Sequence, residues 1–193
     1  MILGLCGSPR AKTTAYVLKR ALRMLNVEGY ETVFWGVQGK KIGFCRHCDY
    51  CIKEKNCVIE DSLQDLYPLL EKSEAILIAS PVYNGSISGQ LKAVLDRTRA
   101  LFAKNPEALK NKPGVAIAVG GDRAGGQELA LLQIHSFYLL SGAIPLSGGA
   151  FGANLGASLW SQDTMEGIKQ DEYGMKTLSK TITRLLKYLE KME

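Results

Sequence analysis

Apolar positions along this chain follow two rhythms that alternate. Met1–Leu5, Ala75–Ala79 and Val115–Val119 are short runs apolar at nearly every position, as expected of strands covered on both faces in a parallel sheet. Thr32-Val33-Phe34-Trp35, rich in β-branched and aromatic residues, reads as a further strand, and Ala143–Phe151 as a weaker fifth. Between them the spacing turns helical. Val17, Leu18, Ala21, Leu22 and Leu25 share one face after Thr13, and Gly29 ends that helix. Asp61 and Ser62 offer N-cap oxygens to a helix carrying Leu63, Leu66, Tyr67 and Leu70. Helices are also predicted from about Ser88 to Ala103 and from Gln127 to Leu140. Met175, Leu178, Ile182, Leu185, Leu186 and Leu189 mark an amphipathic C-terminal helix. The Gln127–Leu140 helix is apolar over more than one face, which suits burial against a second subunit.

Five strands alternating with helices predict an α/β fold, a doubly wound five-stranded parallel sheet with helices on both faces. With 193 residues, 46% hydrophobic and 22% charged, the whole chain 1–193 is expected to form a single domain. The Gly/Ala-rich stretch 148–156 is expected to be a mobile surface loop. No apolar run is long enough to span a membrane, and the start Met1-Ile-Leu-Gly-Leu-Cys-Gly does not resemble a secretory signal, so the expected compartment is the cytoplasm. The net charge of +5 is scattered, without an aromatic-interleaved basic stripe, which argues against nucleic acid as a partner. A mildly positive surface suits an anionic cofactor or an acidic electron-carrier partner, with an ordinary solvated surface as the plain alternative.

Four of the five cysteines crowd into the segment 43–60, with the spacing Cys45-x2-Cys48-x2-Cys51-x5-Cys57. Several disulfides within so short a loop would need tight crossings, and cytosolic thiols stay reduced. Three thiolates at intervals of three residues can wrap three corners of a cuboidal iron–sulfur cluster, and here the fourth ligand is local. Structural zinc more often takes two separate CxxC pairs joined by a longer spacer. The spacing therefore favours a [4Fe–4S] cluster on these four cysteines, with zinc as the alternative. His47 is superfluous to a four-thiolate set, and Cys6 and His135 read as core residues.

Three loops after strands carry the remaining chemistry. In Gly7–Thr14, Ser8, Thr13 and Thr14 offer hydroxyls and Arg10 and Lys12 offer charge at a helix N-terminus, a setting that favours a phosphate. The loop is neither GxGxxG nor a Walker A sequence, since Ala11 stands where glycine should precede Lys12. One phosphate among hydroxyls and amides suits a mononucleotide such as FMN; a capped surface turn is the plain alternative. Ser80-Pro81-Val82-Tyr83-Asn84-Gly85-Ser86 offers backbone N–H groups to a planar ring's polar edge and Tyr83 to its face. Gly120-Gly121-Asp122-Arg123-Ala124-Gly125-Gly126-Gln127 follows the fourth strand, and its glycines suit close approach of backbone to a flat ligand. Arg123 either stabilises a reduced flavin or pairs with Asp122 or a helix carboxylate.

Taken together, Gly7-Ser8-Pro9-Arg10 with Thr13-Thr14, the four-cysteine loop, Ser80-Pro81-Val82-Tyr83 and Gly120-Gly121-x-Arg123-x-Gly125-Gly126-Gln127-Glu128 resemble the iron–sulfur flavoproteins of the flavodoxin-like NADPH-dependent FMN reductase family. The resemblance runs from Met1 to about Gly156. It implies FMN, a [4Fe–4S] cluster, and a homodimer or tetramer in which one subunit's cluster lies near another's flavin. It also implies a ferredoxin-like electron donor and oxidoreductase activity. It assigns the phosphate to Ser8, Arg10, Thr13 and Thr14, and the ring to Pro81, Val82, Tyr83, Asn84 and the Gly120–Gln127 loop. Ala11 and Lys12 depart from the pattern of many relatives. Still open beside it are an NAD(P)H-dependent flavin or quinone reductase with structural zinc and a redox-sensing flavin-binding protein.

Overall fold

The computed structural model describes residues 1–151 and 155–192. Strand β1 (Ile2–Cys6) is followed by α1 (Thr13–Val27), β2 (Thr32–Gly36), the short α2 (Tyr50–Glu54) and α3 (Leu66–Lys72). Then come β3 (Ala75–Tyr83), β4 (Ser86–Ile87), α4 (Gly89–Arg97), α5 (Arg99–Lys104) and β5 (Pro113–Gly120). The chain continues through α6 (Gln127–Leu140), β6 (Ile144–Leu146), β7 (Ala157–Trp160), α7 (Met165–Gln170) and α8 (Glu172–Leu189). The parallel sheet has the order β2-β1-β3-β5-β6, the expected flavodoxin-like architecture. From β1 the chain steps outward to β2 and then back across to β3, so the order reverses between β1 and β3, where open α/β sheets bind ligands.

The unbroken apolar runs are explained by burial on both faces of this sheet. Leu3, Leu5, Ile76, Ile78, Ala116 and Ala118 face a core shared with Leu66, Leu91, Val94, Leu131 and Tyr138. Their neighbours Ile2, Leu77, Val115, Ile117 and Val119 face Leu18, Leu22, Ile182 and Leu185 of α1 and α8. The small side chains of β5 all lie on the α6 side, where Gly114 leaves room for the Tyr138 ring: a Cβ there would lie 2.6 Å from it. The buried Tyr138 hydroxyl donates to the carbonyls of Ile76 and Val115, each at 3.0 Å, bridging β3 and β5. Tyr138→Phe is expected to lower the unfolding free energy by about 1–2 kcal/mol, since it removes a buried donor and keeps the ring. Urea denaturation of the two proteins checks this.

Four elements differ from the sequence reading. The strand starting at Ala75 does not end at Ala79 but runs to Tyr83, because Asn84 (φ 49°) and Gly85 (φ 72°) turn it into an antiparallel hairpin with β4. Pro81 is thus a strand residue paired with Val119 rather than a turn residue. The helix predicted over 88–103 is divided at Thr98, whose hydroxyl bonds back to the Leu95 carbonyl at 2.6 Å. Asp61 does not begin a helix; α3 starts at Leu66 without a side-chain cap. The fifth strand position is split, with β6 beside Pro113–Val115 and β7 beside Ile117–Gly120 on the same edge of β5. Of the stretch expected to be a mobile loop, residues 152–154 lie outside the described residues. Among the described residues no helix is long and apolar enough to cross a membrane.

Candidate functional site

The three ligand-type loops meet at the carboxyl ends of β1, β3 and β5, and serines tie the first two together. Ser88 caps α4 through the Leu91 N–H and donates to the Gly7 carbonyl at 2.6 Å. Its own N–H donates to Ser80 Oγ at 3.0 Å. Gly7 packs so closely on Leu91 that a Cβ would lie 2.6 Å from that residue's Cβ, so a glycine is needed for the loop to rest on α4. Ser8 is buried and its hydroxyl bridges the backbone of Arg10; Thr13 and Thr14 are buried; Arg10 and Lys12 are exposed. No side chain caps α1, and no carboxylate lies in its first turn. A helix end left open beside two cations and three hydroxyls fits an anion, so the local geometry suits a phosphate. A cavity of about 250 Å³ beside the loop is lined by Ser8, Arg10, Trp35, Gln38 and Lys40.

The second and third loops touch through their glycines. A Cβ on Gly126, which has φ +100°, would lie 2.6 Å from Gly85 Cα, so the hairpin tip and the β5 loop pack backbone to backbone. Tyr83 and Asn84 are exposed beside that contact, Val82 is half-buried and Pro81 is buried. Several features of the β5 loop are absorbed by the protein itself. Gln127 is buried; its amide donates to the carbonyls of Asp122 and Leu159 and accepts from the Gly125 N–H. Gly120 makes room for that amide, and Gly121 packs against the Asp163 carboxylate. Arg123 is ion-paired with the fully buried Asp171 at the α8 N-terminus and lies over the rings of Trp160 and Tyr173. Its guanidinium is thus turned to a helix carboxylate, the second of the two roles open to it from sequence. Gly125 and Gly126 are half-buried, which leaves this loop's backbone as its ligand-facing material.

The cysteine segment lies elsewhere, at the junction of α4 and α5. Cys45, Cys48, Cys51 and Cys57 are all free thiols and line one pocket with Arg97, Arg99 and Ala100. The backbone is bent tightly around it: His47 (φ 50°), Asp49 (φ 57°) and Lys55 (φ 56°) all take left-handed conformations. Such conformations cost energy in non-glycine residues and persist where the surroundings impose them, commonly at ligand sites. Among the described residues, no three Cys, His, Asp or Glu converge closely enough to hold a single ion. Four thiols border one pocket, and thiolate sulfur is the donor that iron–sulfur clusters take, so the residues present fit such a group in kind. Exposed Asp49 pairs with Arg99 and its carboxyl is held below the usual value, first by the hydrogen bond from Arg99 and then by that residue's charge. Cys6 is buried in the core, and burial pushes its thiol pKa up, which keeps it protonated and unreactive.

One residue that the sequence reading missed holds this segment closed. The Arg97 side chain is only 1% exposed, and its Nη1 pairs with Asp61 and donates to the Gly43 carbonyl at 3.3 Å. Nη2 donates to the Ile59 carbonyl at 2.9 Å and to Cys57 Sγ at 3.5 Å. Asp61 also accepts from the N–H groups of Gly43 and Leu63, which is why it serves as a clamp rather than as a helix cap. Burial acts to raise the Asp61 pKa, but the Arg97 hydrogen bond and charge and the two N–H donors outweigh it and hold the carboxyl below its ordinary value. The stabilisation is therefore fully present above the unfolded pKa of about 3.9 and is lost as pH falls through the lower folded value. Asp61→Asn should cost about 3 kcal/mol at neutral pH by leaving a buried guanidinium unpaired. Urea titration of iron-free protein should show the difference from wild type constant above about pH 5 and shrinking below about pH 4; a difference that grows on acidification would contradict the pairing.

The family model described as NADPH-dependent FMN reductase matches residues 1–157. An iron–sulfur flavoprotein of Archaeoglobus fulgidus is 56% identical over 193 residues, covering 100% of this chain and 99% of the relative. One from Methanocaldococcus jannaschii is 46% identical, covering 98% of this chain and 96% of the relative. In fold, the chain is similar to the flavodoxin, WrbA-like protein from Agrobacterium tumefaciens, with a TM-score of 0.63, 15% identity and 94% of each chain covered. Matched by the family model over most of its length and by full-length relatives of one kind, the chain belongs to the iron–sulfur flavoproteins of the NADPH-dependent FMN reductase family.

Proposed function

We propose that this chain is an oxidoreductase that holds FMN at the three converging loops and a [4Fe–4S] cluster on Cys45, Cys48, Cys51 and Cys57. In this reading it carries electrons from a ferredoxin-like donor to a two-electron acceptor. The observation that carries the reading is the single pocket lined by all four free thiols, in a chain whose switch-point loops offer an open helix end and exposed backbone. When bound, a cluster exchanges one electron at a time and a flavin one or two, which links one-electron carriers to two-electron chemistry. The chain's own part is positional. Ser8, Thr13 and Thr14 with Arg10 and Lys12 hold the phosphate, and Pro81, Val82, Tyr83, Asn84 and Gly85 border the ring. Gly120, Gly121, Gly125 and Gly126 bring backbone close, while Arg123 and Gln127 keep that loop in shape through Asp171, Asp122 and Leu159.

Within one chain the two sites lie at opposite ends of α4. Ser88 touches the phosphate loop at its start, and Arg97 touches Cys57 at its end. The nine residues of α4 put about 14 Å between those two contacts. That spacing supports a homodimer or tetramer in which a second subunit brings its flavin nearer the cysteine pocket. Leu129, Leu132, Leu139 and Leu140 of α6 are exposed, and Phe137 and Leu140 border a cavity of about 560 Å³ between α6 and the α4–α5 junction. This is the surface we assign to the partner subunit. We place the protein in the cytoplasm as one domain over 1–193, with 43–60 as the cluster loop. Stopped-flow mixing tests the donor assignment: reduced ferredoxin should reduce the flavin about tenfold or more faster than equimolar NADPH. Faster reduction by NADPH would overturn it.

A further inference from the structure

We propose that Arg97 is a positioning residue for the cysteine pocket and that it raises the reduction potential of what the pocket binds. The inference rests on the cluster reading given above. Arg97 is the last residue on the buried stripe of α4, with Ala93 and Val94 one turn before it, a place where a cation is rarely buried unless paired. Four hydrogen bonds from its two terminal nitrogens reach both ends of the cysteine segment at once: Gly43 before Cys45, and Cys57, Ile59 and Asp61 at and after the last cysteine. A planar fork can hold partners so placed, whereas a lysine ammonium reaches one or two of them.

The contact to Cys57 Sγ gives the arrangement its second consequence. Gain of one electron at the pocket adds one negative charge and breaks no bond. A guanidinium that donates to a ligand sulfur favours the state with the extra charge, since hydrogen bonds to ligand sulfurs help set cluster potentials. Asp61 neutralises much of that charge at longer range, but the N–H to sulfur contact is direct. Asp61 also fixes the direction of the fork, so the pair acts as one unit. Tyr67 adds to the same structure by donating to the Arg97 carbonyl at 3.1 Å, which holds the helix end in place.

The test is a potentiometric titration followed by electron paramagnetic resonance, with iron, sulfide and FMN counted on the same samples. Arg97→Lys keeps the charge and loses the fork. It should bind FMN as wild type does and lower the cluster's midpoint potential by about 59 mV, a tenfold weaker hold on one electron. Because Arg97→Lys leaves Asp61 partly unpaired, a second variant combines Arg97→Met with Asp61→Asn and removes both charges together. It should show the same downward shift. A merely structural Arg97 would reduce iron content and leave the potential of the loaded fraction unchanged, and that result in whichever variant folds would overturn the proposal. If wild type itself carries no iron, the cluster reading fails instead, which separates the two failures.

Discussion

Cys48→Ser should strip the chain of its iron and leave its flavin in place. Cys48 is exposed, on a bend that contributes nothing to either hydrophobic core, so its replacement leaves the sheet and its loops intact. A serine hydroxyl stays protonated at neutral pH and is a poor substitute for a thiolate, so one corner of the ligand set is lost. Iron and acid-labile sulfide should fall from about four each per chain to below about one. Flavin reduction by reduced ferredoxin should slow by about a hundredfold, or roughly 2.7 kcal/mol in the barrier. Equal rates in the two proteins would mean that the cysteines only sense oxidation or stiffen a loop. Stoichiometric zinc in the wild type would mean a structural metal.

Gly126→Val is the second substitution with a large expected effect, and it acts on the other site. Residue 126 has φ +100°, where a β-branched side chain is strained by about 1–3 kcal/mol. Its Cβ would in addition lie 2.6 Å from Gly85 Cα, and backbone cannot swing aside as a flexible side chain does. Relief requires the hairpin tip and the β5 loop to separate, at a further cost of about 1–3 kcal/mol. The expected loss of stability is about 2–6 kcal/mol, measured by urea denaturation. FMN affinity should fall by about tenfold or more because two of its three loops move apart. Unchanged FMN affinity would place the ring away from the Gly85–Gly126 contact. Gly39→Ala, at an open turn with φ +71° and nothing near its Cβ position, is the control for strain without crowding.

The fold was legible because β1, β3 and β5 are buried along nearly their whole length and so read as continuous apolar runs, while α1 and α8 read by period. That Cys45, Cys48, Cys51 and Cys57 come together around one pocket was legible from their spacing. Less legible were features decided by tertiary pairing. Asn84-Gly85 is a strong hairpin signal, but Pro81 drew attention to itself as a turn residue when its φ and missing N–H are also tolerated in a strand. β7 is only Ala157–Trp160, and it forms because β6 leaves half of the β5 edge unpaired. Arg97 was missed because a long cation on a helix is ordinarily solvated. Its position on the stripe with Val94 and Leu101, and an Asp61 just past the last cysteine, was the available signal. The glycines of residues 120–126 illustrate the opposite case: a ligand-binding pattern partly explained by contacts to Gln127, Asp163 and Gly85.

The central claim, two redox groups on one chain, is tested most directly by one sample. Protein purified without oxygen should show flavin absorption over a broad band that dithionite bleaches, with about four irons and four sulfides per chain and little zinc. Flavin absorption alone, with one zinc per chain, would contradict the account and leave a flavin reductase with a structural metal loop.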